Sequence, residues 1–181
     1  MNKWDGQAFI DQLDLSTDND VLEIGVGTGR LALRTAPFCG TFCGIDISSK
    51  TIERAKENLS KFDNVTLICS DVLTHRFDRK FDVIYSSLTF MHIVEKQKAI
   101  EKAASLMNPN ARFVLSIDKN QNRLLDYGSR KITIYPDNPI DITGYMEAAK
   151  LKILKQFETE LAVIFVAENA GQALYTQLRS R

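Results

Sequence analysis

Histidine is scarce in this 181-residue chain, with only His75 and His92, and the three cysteines, Cys39, Cys43 and Cys69, form no Cys-x-x-Cys pair. No zinc site of familiar ligand spacing can be written from that set, so the chemistry is expected to be metal-free. An odd number of cysteines is no disulfide framework either. Cys43 and Cys69 fall inside apolar, strand-like runs, where cysteine serves as a small hydrophobe. An excess of one charge is missing too: 23 basic residues face 23 acidic ones. Nothing therefore draws the chain to nucleic acid or anionic lipid. No apolar run approaches a membrane span, and the opening Met1-Asn2-Lys3-Trp4-Asp5-Gly6 lacks the apolar core of a signal peptide. The expected location is the cytoplasm. Repeats, low-complexity tracts and linkers are absent, and the length suits a single domain over residues 1–181.

What the chain does have is Val21-Leu22-Glu23-Ile24-Gly25-Val26-Gly27-Thr28-Gly29-Arg30. An apolar strand runs into three glycines at alternate positions, with an amphipathic helix behind them. Such a turn brings bare backbone and a helix N-terminus against a nucleotide-like ligand. A dinucleotide fingerprint, G-x-G-x-x-G, would place its third glycine where Arg30 stands.

Strand and helix then alternate, which predicts a parallel sheet covered on both faces. A helix is expected over residues 30–36, ended or kinked at Pro37. A second strand over 41–46 ends at Asp46, and Ser48-Ser49 can cap a helix with Ile52, Ala55 and Leu59 on its apolar face. Asp63-Asn64 turns into a third strand, 65–71, ending at Asp71. The fourth strand is 81–88. A helix over 95–107 is expected to end at Asn108-Pro109-Asn110, before a fifth strand at 111–118. Residues 119–129 read as polar loop with a helical turn, and 132–135 as a short extra strand. Asp141 or Thr143 would cap a helix running to residue 150. Strand-prone runs at 152–158 and 161–168 follow. One short helix fits residues 4–13, with Trp4 and Phe9 either covering a ligand or closing the sheet, and residues 170–181 form a tail with near-helical apolar spacing. Lysines and arginines over 76–80 read as exposed loop charges, and His75 as a solvated surface residue.

The Glu-x-Gly-x-Gly-x-Gly motif and the strand-end acids Glu23, Asp46 and Asp71 resemble those of the class I S-adenosylmethionine-dependent methyltransferases over roughly residues 19–169. The resemblance implies a three-layer, Rossmann-like α/β fold with a mostly parallel seven-stranded sheet, order 3-2-1-4-5-7-6, its last strand antiparallel. It implies S-adenosyl-L-methionine as cofactor, held by Glu23, Gly25, Gly27, Gly29, Asp46, Ile47, Asp71, Val72, Tyr85 and Ser86. Asp46 would accept both ribose hydroxyls, since a carboxylate can accept from two neighbours at once. Asp71 and the Val72 amide would meet adenine, Glu23 would face the methionine end, and carbonyls near Tyr85 or Ser86 would receive the ammonium group. Asp71 also fits a plain helix cap.

The implied activity is methyl transfer to a small-molecule acceptor beyond the fourth strand, where His92 is a candidate general base or acceptor contact. A capping or packing histidine is the other reading. The absence of Asn-Pro-Pro-Tyr, Asp-Pro-Pro-Tyr and a Pro-Cys nucleophile argues against base methylation. Few residues precede the first strand, so cover for the site would come from residues 119–146 or from a second copy in a homodimer. The rival functions are a non-catalytic S-adenosylmethionine-binding protein and a nicotinamide oxidoreductase.

Overall fold

The computed structural model describes residues 3–126, 128 and 131–169. In chain order the strands are β1 (Asp20–Ile24), β2 (Thr41–Asp46), β3 (Val65–Cys69), β4 (Phe81–Ser87), β5 (Met107–Asp118), β6 (Leu124–Asp126), β7 (Lys131–Thr133), β8 (Leu151–Glu158) and β9 (Ala162–Asn169). The helices are α1 (Gly6–Ile10), α2 (Ala32–Thr35), α3 (Ser49–Leu59), α4 (Lys96–Ser105) and α5 (Pro139–Ala148). Seven strands form one sheet in the order β3-β2-β1-β4-β5-β9-β8. β1 to β5 pair in parallel, while β9 runs antiparallel to both β5 and β8. This is the expected topology. The small β6–β7 pair lies apart, so the last two strands of the main sheet are eighth and ninth in the chain.

The central strands are buried over almost their whole length, as a sheet covered on both faces requires. On one face Ile84, Phe113, Leu115 and Phe165 pack with Ile100 and Ala103 of α4 and Ile142 and Met146 of α5. On the other, Val21, Val83, Tyr85 and Val114 pack with Phe9 of α1, Ala32 of α2 and Ile52, Ala55 and Leu59 of α3. Ser48 caps α3, and its expected apolar stripe is the buried one.

Several local expectations fail for identifiable reasons. The helix after the glycine turn is only α2, and a 3-10 turn over Ala36–Phe38 takes in Pro37. α4 stops at Ser105, and Asn108-Pro109-Asn110 belongs to β5. There the pairing jumps from Phe81↔Met107 to Val83↔Arg112, so the segment bulges outward with Asn110 at φ 62°. A proline is tolerated in such a bulge because it owes the ladder no N–H. Residues 119–129 contain no helical turn among the described positions; β6 lies there instead. Cys69 is exposed because β3 is the sheet's edge strand. Arg79 is not a free loop charge: its Nη1 reaches Asp20 and Thr41.

α5 is capped by neither Asp141 nor Thr143. Asn138, in an extended conformation, accepts from the Ile140 amide at 2.8 Å, and Pro139 opens the helix. Asn138→Ala is therefore expected to cost about 1 kcal/mol of stability, read as a fall in Tm, and Thr143→Ala measurably less.

The N-terminal helix is shorter than 4–13. Phe9 is fully buried and meets Tyr85 edge-on, with ring centroids 6.0 Å apart, while the Trp4 indole N–H donates to Asp118 Oδ2 at 3.3 Å. Phe9 thus closes the core rather than covering a ligand. The tail at 170–181 lies outside the described residues.

Candidate functional site

A cavity of about 740 Å³ opens at the carboxyl ends of β1, β2 and β4. The strand order reverses there, because β1 leads outward to β2 and β3 on one side and β4 and β5 lie on the other. Open α/β sheets place ligands at such a switch point. The glycine turn forms one wall. Gly25 has φ 78°, and a Cβ on it would stand 2.0 Å from Thr89 Oγ1, so glycine is what lets the loop after β4 close against the turn. Gly27, at φ 55°, would direct a Cβ into space with nothing within 4 Å. Gly29 faces Leu59 of α3 and does not line the cavity.

Asp46 ties the turn to the next helix. Its Oδ2 accepts from the Gly27 amide at 3.0 Å and its Oδ1 from the Ser48 amide at 2.9 Å. Each carboxylate oxygen has further lone-pair capacity, so the carboxylate is aimed and can still accept from a ligand. Ile47 beside it lines the cavity with 74% of its surface exposed, a large apolar side chain left in the open. Asp71 and Val72 also line the cavity. Asp71 Oδ1 accepts from the Leu73 amide at 2.9 Å, and its carbonyl accepts from the Thr74 and His75 amides. Asp71 is thus a turn cap and a wall residue at once.

Glu23 lies on the cavity wall but is 3% exposed, and burial pushes its carboxyl up to about 8, against the hydrogen bond with Tyr85 and the pull of Arg30. The Tyr85 hydroxyl lies 2.9 Å from Glu23 Oε2 and 2.8 Å from Thr35 Oγ1. Tyr85 and Ser86 are not on the wall: Tyr85 is in the core against Phe9, and Ser86 Oγ donates to the Ile24 carbonyl at 2.8 Å. β4 continues to Ser87, so the crevice is reached only at Ser87, Leu88 and Thr89. Leu88 sits at φ 55°, an uncommon conformation for a bulky residue and the kind that collects at ligand sites.

Two residues of this region, Arg30 and Asp5, escaped the sequence reading. Arg30 lines the cavity and forms a two-pronged ion pair with Asp5, one bond of which is 3.0 Å. Asp5 is 1% exposed and also accepts from Ser87 Oγ and the Gly6 amide, each at 2.7 Å. Burial alone would raise the Asp5 carboxyl, but the hydrogen bonds from Arg30, Ser87 and Gly6 outweigh it and hold the group below its usual range. Arg30 was legible as the residue displacing a fingerprint glycine. Asp5 carries no local signal, since its partners lie 25 and 82 residues away.

His92 closes a 3-10 turn, Phe90–His92, and lines the cavity with Ile93, Val94 and Glu95. It does not cap α4, whose N-cap is Glu95. Partial burial and the nearby Lys96 lower its pKa, opposed by Asp46, so the imidazole is neutral at neutral pH and able to accept a proton. The turn is pinned from behind: Lys96 Nζ donates to the Phe90 carbonyl at 2.6 Å and pairs with Asp137 at 2.7 Å, and the Tyr135 amide donates to the Met91 carbonyl at 2.7 Å. Tyr135 and Asp137 support this turn, but none of the described residues over 119–146 lines the cavity. His75 packs edge-on against Phe77, 4.6 Å between centroids, away from the wall and not as a free surface side chain. Among the described residues no group of His, Cys, Asp or Glu is arranged to hold a metal ion, and no helix is long and apolar enough to cross a membrane.

Comparison with known proteins places this geometry. A family model described as a methyltransferase domain matches residues 15–159. The malonyl-[acyl-carrier protein] O-methyltransferase of Priestia megaterium is 33% identical over 116 residues, covering 60% of this chain and 41% of that protein. The 27-O-demethylrifamycin SV methyltransferase of Amycolatopsis mediterranei is 24% identical over 176 residues, covering 81% of this chain and 65% of the relative. The chain therefore spans less than two thirds of the length of either. In fold it is similar to the N-methyltransferase NodS of Bradyrhizobium japonicum WM9, solved with S-adenosyl-L-homocysteine, at a TM-score of 0.71 and 17% identity over 90% of this chain and 86% of that one. With most of its length matched by the family model and the sheet order and glycine turn in place, the chain belongs to the methyltransferase domain family, of the class I S-adenosylmethionine-dependent type.

Proposed function

We propose that this chain binds S-adenosyl-L-methionine in the cavity at the ends of β1, β2 and β4 and transfers its methyl group to a small molecule. The observation that carries the reading is the pairing of Asp46, whose carboxylate is held by two backbone amides, with the open space over Gly27. A ribose fits that combination, because its two hydroxyls need a fixed acceptor and its approach needs a wall without a side chain. Ile47, Asp71 and Val72 would flank the adenine. Glu23, Arg30 and Ser87, below the glycine turn, would face the amino-acid end.

The sulfonium supplies an activated methyl group and a neutral leaving group. The protein's part is to align donor and acceptor and to exclude water. His92, a neutral side chain on the cavity wall, would contact the acceptor and take its proton. The name of the rifamycin relative favours a small acceptor, while that of the other relative specifies a small acyl group carried on a protein. The even charge balance supports a site that works on neither nucleic acid nor membrane, and a cytoplasmic location goes with it.

Calorimetric titration with S-adenosylhomocysteine and with NAD tests the cofactor. Binding of the first and not the second is expected, and the reverse would install the oxidoreductase reading. Incubation with methyl-labelled donor and a metabolite extract then separates an enzyme from a non-catalytic binder, with label expected to appear in a small product.

A further inference from the structure

Glu23 begins a row of buried polar groups. Its Oε2 lies 2.9 Å from Tyr85 Oη, Tyr85 Oη lies 2.8 Å from Thr35 Oγ1, and Thr35 Oγ1 lies 3.1 Å from the Leu31 carbonyl oxygen. Glu23 is 3% exposed, Leu31 2%, and Tyr85 and Thr35 not at all, so water does not serve this row. Each contact needs one proton. Tyr85 and Thr35 carry one hydroxyl proton each, and the Leu31 carbonyl carries none. With Glu23 ionised, two protons must serve three contacts, and one pair of oxygens is left facing lone pair to lone pair. With Glu23 protonated the row is complete in a single direction: Glu23 donates to Tyr85, Tyr85 to Thr35, and Thr35 to the Leu31 carbonyl.

We propose that Glu23 is a carboxylic acid in the ligand-free protein and gives up its proton when the ammonium group of an adenosyl ligand's zwitterionic amino-acid end, or the sulfonium of the donor, comes against it in the cavity. This rests on the cofactor reading above. The charged groups facing Glu23 do not ionise it by themselves. Arg30 would favour the carboxylate, but its guanidinium is engaged by Asp5, while Asp5 and Asp46 both oppose a further negative charge. Burial adds to that opposition. An ammonium group, or the sulfonium of the donor, is the missing cation. Its arrival makes the carboxylate the favoured form, Tyr85 then turns its hydroxyl proton toward Glu23, and the released proton goes to solvent. The site would in this way read the charge of the ligand as well as its shape.

The test counts protons. S-adenosyl-L-methionine, S-adenosylhomocysteine, which has the ammonium group but no sulfonium, and 5′-methylthioadenosine, which has neither, are titrated calorimetrically near neutral pH in buffers of different ionisation enthalpy. S-adenosylhomocysteine is expected to release about one proton, and its affinity to rise about tenfold per pH unit below pH ~7.5. Methylthioadenosine is expected to release none and to show a flat profile. Proton release by the donor but not by S-adenosylhomocysteine would assign the effect to the sulfonium.

Equal release with all three ligands, or with none, overturns the proposal while leaving the cofactor reading intact. Failure of every adenosyl ligand to bind overturns the cofactor reading instead. A ligand-free measurement then still decides the protonation state. Carbon NMR of glutamate-labelled protein should show one side-chain carboxyl, absent in Glu23→Gln, titrating near 8. A midpoint in the ordinary carboxylate range would overturn the proposal. The glutamine amide can donate to Tyr85 as the acid does, so the variant should fold, bind S-adenosylhomocysteine more weakly than the wild type, release no proton and show a flat pH profile. Because the folded state holds this proton more tightly than the unfolded chain, stability falls as pH rises from 4.5 toward about 8. Glu23→Gln should remove that part of the slope.

Discussion

Gly27→Val is expected to lower S-adenosylhomocysteine affinity by more than about a hundredfold, that is by over ~2.7 kcal/mol, in a protein that still folds. Gly27 is the one glycine of the turn whose missing side chain faces open space in the cavity. A valine there fits the protein and collides with the ligand. At φ 55° the β-branched residue also strains the backbone by about 1–3 kcal/mol, which lowers Tm without dissolving a fold whose core lies elsewhere. Gly27→Ala separates the two effects, since it keeps most of the strain and loses most of the bulk, and it should bind better than valine. Gly25→Ala is the contrast, because a Cβ there meets Thr89 at 2.0 Å and disturbs the protein whether or not ligand is present. Circular dichroism melts and calorimetry on the same samples read both quantities. If the valine variant folds and binds as the wild type does, the glycines are only a turn and the cavity above them is not the cofactor site.

The parts of this molecule that were legible in the sequence are those whose partners are near in the chain or whose pattern repeats. The start and the apolar face of α3 could be read, because a cap at Ser48-Ser49 and the spacing of Ile52, Ala55 and Leu59 are local facts. The sheet order followed from strand–helix alternation together with a family resemblance. Errors came where tertiary contacts override local preference. Asn108-Pro109-Asn110 looks like a helix terminator, and it became a bulge because pairing with β4 already begins at Met107. Asp5 looks like nothing at position 5. Its role depends on Arg30 and Ser87 arriving from other elements. Carbonyls near Tyr85 or Ser86 were expected to meet the ligand, but both residues lie within β4 and the cavity is lined only from Ser87 onward.

Asp46→Ala is expected to weaken S-adenosylhomocysteine binding roughly ten- to a hundredfold, the loss of about 1.5–3 kcal/mol that goes with hydrogen bonds to a charged acceptor. The effect has two parts. The ligand loses its acceptor, and the Gly27 and Ser48 amides lose the carboxylate that holds the glycine turn against the start of α3. Gly27 lines the cavity and Ser48 is exposed, so both amides can turn to water and the cost to folding stays small beside the cost to binding. Asp46→Asn is not a gentle substitute. The asparagine oxygen can satisfy one amide, but its NH₂ group then points donor to donor at the other, so the affinity loss should persist. Asp46→Glu keeps the charge and moves it by one methylene, and it should recover part of the affinity if position as well as charge matters. A dissociation constant unchanged in all three variants would take Asp46 out of the site. A loss confined to NAD, with S-adenosylhomocysteine binding untouched, would move the strand-end acid into the dinucleotide role that the glycine spacing argues against.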